Sequence, residues 1–204
     1  MTCLWAAQAF GQIAPEPGAA RSSARTWGQR LADTTLAEHP EAWRLRKSDG
    51  EYRWSYTVGL VGLGLYRLSV KHDEPAYYRY MRSYVDHYVG ADGHIGTLAL
   101  DEYNLDSINS GKLLFPLLDD TGDARYRTAL DELRRQLEWQ PRTHVGVFWH
   151  KRKYPWQVWL DGLYMEAPFY AEYAARFGPS EDLGDVVRQF RESYTRLRDP
   201  KTGL

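Results

Sequence analysis

Residues 54–89 read WSYTVGLVGLGLYRLSVKHDEPAYYRYMRSYVDHYV, and this stretch decides the fold. Its first part, 54–70, is apolar nearly all round, the pattern of a buried helix rather than a surface one. Its second part, 74–89, puts Tyr77, Met81, Tyr84 and Tyr88 on one stripe at three- and four-residue steps, which predicts an amphipathic helix. KHDE between them supplies turn and cap residues. The two parts together predict a helical hairpin, an inner helix followed by an outer one. The glycines of GLVGLGLYRL lie inside the apolar helix, where they permit close helix approach and cradle no phosphate.

The same pairing recurs along the chain. DSINSGKLLFPLL (106–118) is apolar, with Pro116 expected to kink or tighten its end. GDARYRTALDELRRQLEWQ (122–140) follows, amphipathic through Tyr126, Leu130, Leu133 and Leu137. DGLYMEAPFYAEYAARF (161–177) is mostly apolar, with Pro168 as an expected bend and Met165 and Phe169 as core residues. SEDLGDVVRQFRESYTRL (180–197) is amphipathic through Leu183, Val186, Val187, Phe190 and Tyr194. A leading helix from Ser22 to about Leu36 carries Trp27, Leu31 and Leu36 at nearly helical spacing. The only candidate strand is THVGVFW, 143–149. Inner segments beginning at 54, 106 and 161 set a period of repeated helical hairpins. Stacked hairpins make either an open solenoid or a closed toroid. The loops before the inner helices, 89–105 and 140–160, are long, and those after them are tight. Long loops gathered at one end build a pocket there, which favours an all-α toroid with its site at the inner-helix N-termini.

Composition sets the outer bounds. The 204 residues are 43% hydrophobic and 26% charged with a formal charge of −1, an ordinary globular balance. Nothing in it attracts nucleic acid or an anionic membrane. The basic clusters Arg44, Arg46, Lys47 and Lys151, Arg152, Lys153 are short and lack a nucleic-acid motif. A single cysteine, Cys3, excludes an internal disulfide framework and a cysteine-rich metal site. HxxxH, CxxC and Gly-rich phosphate loops are missing, so neither metal nor cofactor is expected. No stretch approaches the roughly 18 apolar residues of a membrane span. Eight tryptophans and fifteen tyrosines suit stacking on a flat, half-polar ligand, and equally suit core filling. Residues 1–21 read as a linker or the remnant of an export signal, since Leu4–Phe10 is apolar but lacks a positive start. That reading favours a periplasmic or secreted location and leaves 22–204 as the folded unit.

The chemistry concentrates in FWHKRKYPWQVWLDGLYM, 148–165, where Asp161 stands among three tryptophans, two tyrosines and a histidine. A carboxylate among large rings is costly unless something uses it. Asp161 and Asp106 each begin an inner helix, where exposed N–H groups and the dipole favour negative charge. Simple N-capping would account for both. By residue type alone, His150 reads as a satisfied core histidine, Lys151 as one charge of an exposed run, and Trp54 and Tyr56 as core packing.

YNLDSINSGKLLFPLLDDTGD and FWHKRKYPWQVWLDGLYMEAPFYAEYA resemble the unsaturated rhamnogalacturonyl hydrolases of glycoside hydrolase family 105. These are similar in fold and chemistry to the unsaturated glucuronyl hydrolases of family 88. The resemblance runs from about Trp54 to Leu204. It implies a six-hairpin (α/α) toroid, of which 22–204 would be the N-terminal half, with the open half-ring edge prone to self-association. It also implies a small oligosaccharide substrate ending in a C4=C5 unsaturated galacturonyl group on rhamnose. An acid protonates C4, water adds at C5, and the resulting hemiketal opens to expel the rest of the saccharide. The resemblance places the acid on Asp161, in an aromatic setting with Trp156, Trp159 and Tyr164 expected to favour its protonated form. It places an orienting or assisting carboxylate on Asp106, and substrate contacts on His150, Lys151, Trp54, Tyr56, Trp156 and Trp159.

Overall fold

The computed structural model describes residues 25–45 and 51–203. The 1–21 segment, the helix start expected at Ser22, and Arg46 and Lys47 lie outside the described residues. The fold is all-α. A leading helix α1 (Trp27–Glu38) precedes three hairpins. The first pairs α2 (Tyr56–His72) with α3 (Pro75–Tyr88). The second pairs a broken inner helix, α4 (Leu105–Asn109) and α5 (Leu114–Thr121), with α6 (Ala124–Trp139). The third pairs α7 (Leu160–Phe177) with α8 (Ser180–Leu197).

The turns form where the residues allow. Asp73 ends α2 in the left-handed region at φ 56°, and Pro75 then opens α3 at a position where its missing N–H costs nothing. Gly122, at φ 66°, ends α5, and Asp123 caps α6 by accepting from the Arg125 N–H. Inner helices approach closely through small residues. A methyl group on Gly59 would lie 2.1 Å from Ser110 Oγ, and one on Gly111 would lie 2.5 Å from Leu133. Met165 and Phe169 are buried as expected, in a core shared with Tyr84, Ile108, Leu114 and Leu133.

The two prolines act differently. Pro116 would clash with the carbonyl of residue 112 in a continuous α-helix. The chain answers with a 3-10 turn over Ser110–Leu113, so the break falls ahead of the proline instead of at the helix end. Pro168 sits inside an unbroken α7. The Tyr164 carbonyl that its absent N–H would have bonded accepts from Asn109 Nδ2 at 3.3 Å instead.

The leading and outer helices are stitched by part-buried polar pairs. Tyr77 donates to Asp33 at 2.6 Å, Tyr126 to Asp86 at 2.6 Å, and Arg134 holds Asp182 with contacts down to 2.8 Å.

Three expectations are corrected here. Most of the α1 stripe faces outward, with Trp27 82% and Leu31 70% exposed and only Leu36 packed on the core, while Gln29 and Ala32 are buried. The stripe of α8 also faces outward: of its five expected core residues only Val186 is buried, while Tyr194 is 64% exposed. The face of α8 that packs inward is polar, carrying Asp182, Asp185, Gln189 and Ser193. Ion pairs to Arg134 and Arg142 satisfy its two carboxylates. Finally, 143–149 is a turn closed by the isolated pair Arg142 and Phe148, because Gly146 at φ 87° reverses the chain. A matching turn, Val89 with Ile95 around Gly93, occurs one hairpin earlier. No described helix is long and apolar enough to cross a membrane.

Candidate active site

The long loops meet over the N-termini of α4 and α7. Gln140 Nε2 donates to the carbonyls of Tyr103 and Trp149, at 2.7 and 2.8 Å, lacing one loop to the other. Gln136 Nε2 reaches the Asn104 carbonyl at 2.9 Å. His150 is held through its backbone: its N–H donates to Gln157 and its carbonyl accepts from the Leu105 N–H, the first residue of α4. These bonds bring residues 106, 150 and 161 to one place.

Neither aspartate is a cap. Asn104 caps α4, its side chain accepting from the Asp106 N–H at 3.0 Å, and Trp159 precedes α7 without a side-chain cap bond. Asp106 and Asp161 occupy the second residue of their helices, near the positive dipole end with both carboxylates free for other work. With His150 they offer ligand-type atoms all within 4.8 Å of one another, the only such triad of metal-binding residue types among the described residues. That spacing suits a cation, but the Lys151 ammonium already lies 2.5 Å from Asp106 Oδ2 and supplies the positive charge.

His150 is 1% exposed, and its Nε2 lies 3.3 Å from Asp106 Oδ1 and 3.8 Å from Asp161 Oδ2. The 3.3 Å approach is not aligned as a hydrogen bond, and Asp106 Oδ1 has no other partner among the described residues. Burial alone would raise the Asp106 carboxyl; the close approach of His150 Nε2 and the bonded Lys151 ammonium outweigh it and hold the group below the usual carboxylate range. Asp106 is thus held in its ionised form. Lys151 pairs with Asp106 in this structure.

Asp161 has 51% of its side chain exposed, so the aromatic enclosure expected around it is not formed. Trp159 stacks on the His150 ring at 4.2 Å and on Tyr154 at 5.1 Å, leaving Tyr164 and Trp156 turned to solvent. Trp156 follows Pro155 in a turn closed by the Gln157 N–H on the Tyr154 carbonyl. Its φ of 65° is a conformation such turns give to glycine, a strained place for an indole. Trp149 packs on it at 4.6 Å. Trp54 does not line the site. It is buried, stacked on Tyr84, and its indole N–H donates to the Ser107 carbonyl at 2.9 Å, which fixes the first turn of α4 beside Asp106. Tyr56 is half-buried against the core.

One residue escaped the sequence reading. Glu166 is 1% exposed on α7, with neither carboxyl oxygen bonded among the described residues. A lone glutamate in a helical pattern normally marks the solvent face, and only its position in an otherwise apolar inner helix could have flagged it.

Comparison with known proteins agrees with the fold. The model of Glycosyl Hydrolase Family 88 matches residues 27–204. A solved structure described as a C. acetobutylicum ATCC 824 glycoside hydrolase from family 105 is 37% identical, with a TM-score of 0.80. The match covers 88% of this chain and 48% of that one, so the chain spans about half the length of this relative. The three hairpins and leading helix are part of an α/α toroid, and the chain belongs to the family 88/105 group of glycoside hydrolases.

Proposed function

We propose that the chain carries the reacting centre of a hydrating glycoside hydrolase, acting on an unsaturated galacturonyl group linked to rhamnose. The observation that carries this reading is the convergence of Asp106, His150 and Asp161 at adjacent inner-helix N-termini. Asp106, held ionised by Lys151, has no proton to give and serves to orient the sugar. Asp161, open to solvent on the same rim, donates its proton to C4 and then takes one from the water that adds at C5. The new C5–O bond makes a hemiketal; its ring C–O bond breaks, and the exposed hemiacetal releases the remaining saccharide. Trp156, exposed beside the rim, offers its ring to the sugar, and Trp159 supports the site by stacking on His150.

The family 88 match favours a second substrate within the same chemistry, an unsaturated glucuronyl disaccharide. A two-carboxylate displacement at the anomeric carbon is supported only by the closeness of the two acids. It is disfavoured because Lys151 neutralises the carboxylate that would attack. Exposed apolar residues on α8, with Leu160 and Tyr164 on α7, lead us to infer self-association of this chain through that edge.

The test is a comparison of three saccharides: unsaturated galacturonyl-rhamnose, an unsaturated glucuronyl disaccharide, and saturated galacturonyl-rhamnose. Loss of ultraviolet absorbance on the first, with the saturated one untouched, is the expected result. Cleavage of the saturated compound overturns hydration. Binding of a saccharide without loss of absorbance would instead mark a carbohydrate-binding module.

A further inference from the structure

A neutral imidazole has one donor nitrogen and one acceptor nitrogen. The Nε2 of His150 faces two carboxylates, Asp106 and Asp161, so the proton belongs there. Its Nδ1 must then accept, yet it is buried and has no partner among the described residues. A small cavity is lined by His150, Gly162, Glu166 and Gln189, and its volume of about 10 Å³ is near the room one water needs. Gly162 and Glu166 lie one helical turn apart on one face of α7. A methyl group on Gly162 would approach His150 Nδ1 to 3.2 Å, so this face of α7 points at that nitrogen.

We propose that Glu166 is a positioning residue, its carboxyl proton donated to one water in this cavity, which in turn donates to His150 Nδ1. Its effect is to fix the imidazole proton on Nε2, facing Asp106 and Asp161. The charged neighbours of Glu166 leave it no ion pair. Arg142 is taken bidentately by Asp185 of α8, at 2.9 and 2.7 Å. Gln189 spends its amide on Phe148, Gly146 and Asp185. Burial, with Asp185 adding and Arg142 opposing, pushes the Glu166 carboxyl up to about 8, so the donor is present at neutral pH. Above that value Glu166 becomes an acceptor, and His150 loses the partner that selects its tautomer.

The inference rests on the proposed reaction for its catalytic meaning, but its readout needs no substrate. Long-range 1H–15N spectra of the full 204-residue chain report the His150 tautomer, with the signal assigned by its disappearance in His150→Asn. The parent is expected to show the Nε2–H form near pH 7 and a change in that signal between pH 7 and 9. Glu166→Gln, which keeps a donor, holds the Nε2–H form throughout; Glu166→Leu loses the tautomer preference at pH 7. A His150 signal that ignores pH in the parent, or that changes alike in parent and Glu166→Gln, overturns the proposal. So does a folded Glu166→Leu variant with the parent's signal. Should Glu166→Leu not fold, the parent and Glu166→Gln decide the matter. Turnover without the tautomer effect refutes only this inference, and the tautomer effect without turnover refutes only the reaction.

Discussion

Each residue of the site is defined by what surrounds it. Asp106 and Asp161 begin equivalent helices, yet one is clamped by an ammonium and the other is half open to solvent. On the proposed reaction, this difference in surroundings would divide an orienting carboxylate from an acid, as unlike environments divide paired titratable groups. Since the Asp106 carboxyl lies below its ordinary range, the stability it contributes is present above that range and fades as pH falls through the depressed value. Lys151→Met should move the acid limb of the pH–rate profile upward and lower kcat/KM by about tenfold, the loss of about 1.4 kcal/mol. An unchanged limb would mean that Lys151 does not hold Asp106. Asp161, Asp106 and His150 were legible in the sequence because they sit in ordered motifs. Glu166 was not, since His150, which lines the same cavity, comes from a loop, and no periodicity links the two.

At the scale of elements, the alternation of inner and outer helices was read directly from hydrophobic periodicity, and the structure follows it in all three hairpins. The orientation of α1 and α8 was not legible. Periodicity says which residues share a face, but not whether the described chain covers that face. The inward face of α8 is held by salt bridges and amides instead, which a search for apolar stripes passes over. The second inner helix shows the same limit: Pro116 announced a disturbance, and the packing of Ser110 and Gly111 against α2 and α6 decided that it falls at 110–113. In α7 the bend expected at Pro168 is met by Asn109, whose side-chain amide takes the freed Tyr164 carbonyl. Asn109→Ala should therefore destabilise the chain by about 1–2 kcal/mol, read as a lower urea midpoint at constant slope. Pairing it with Pro168→Ala, which restores the backbone donor, should recover part of that loss; strict additivity of the two would refute the coupling.

The whole molecule is an arc of hairpins with apolar side chains left open at its ends, Trp27 and Leu31 on α1 and Val187, Phe190 and Tyr194 on α8. An apolar groove between α7 and α8 is lined by Leu163, Ala167, Val186 and Phe190. Such a surface drives association in proportion to the area it removes from water. Light scattering should show the 204-residue chain heavier than its 23.7 kDa monomer at micromolar concentration, and Phe190→Glu with Val187→Lys should return it toward the monomer. A monomeric parent would contradict this. Asp106, His150 and Asp161, on which the proposed reaction rests, converge on one rim, contributed by α4, α7 and the loop before α7. The most direct measurement follows the ultraviolet absorbance of unsaturated galacturonyl-rhamnose with this chain and with Asp161→Asn, both checked for helicity. The account predicts that absorbance falls with the parent and stays constant with Asp161→Asn. A variant that consumes the double bond at the parent's rate would contradict Asp161 as the acid, and a parent that leaves it intact would contradict a working site in these three hairpins.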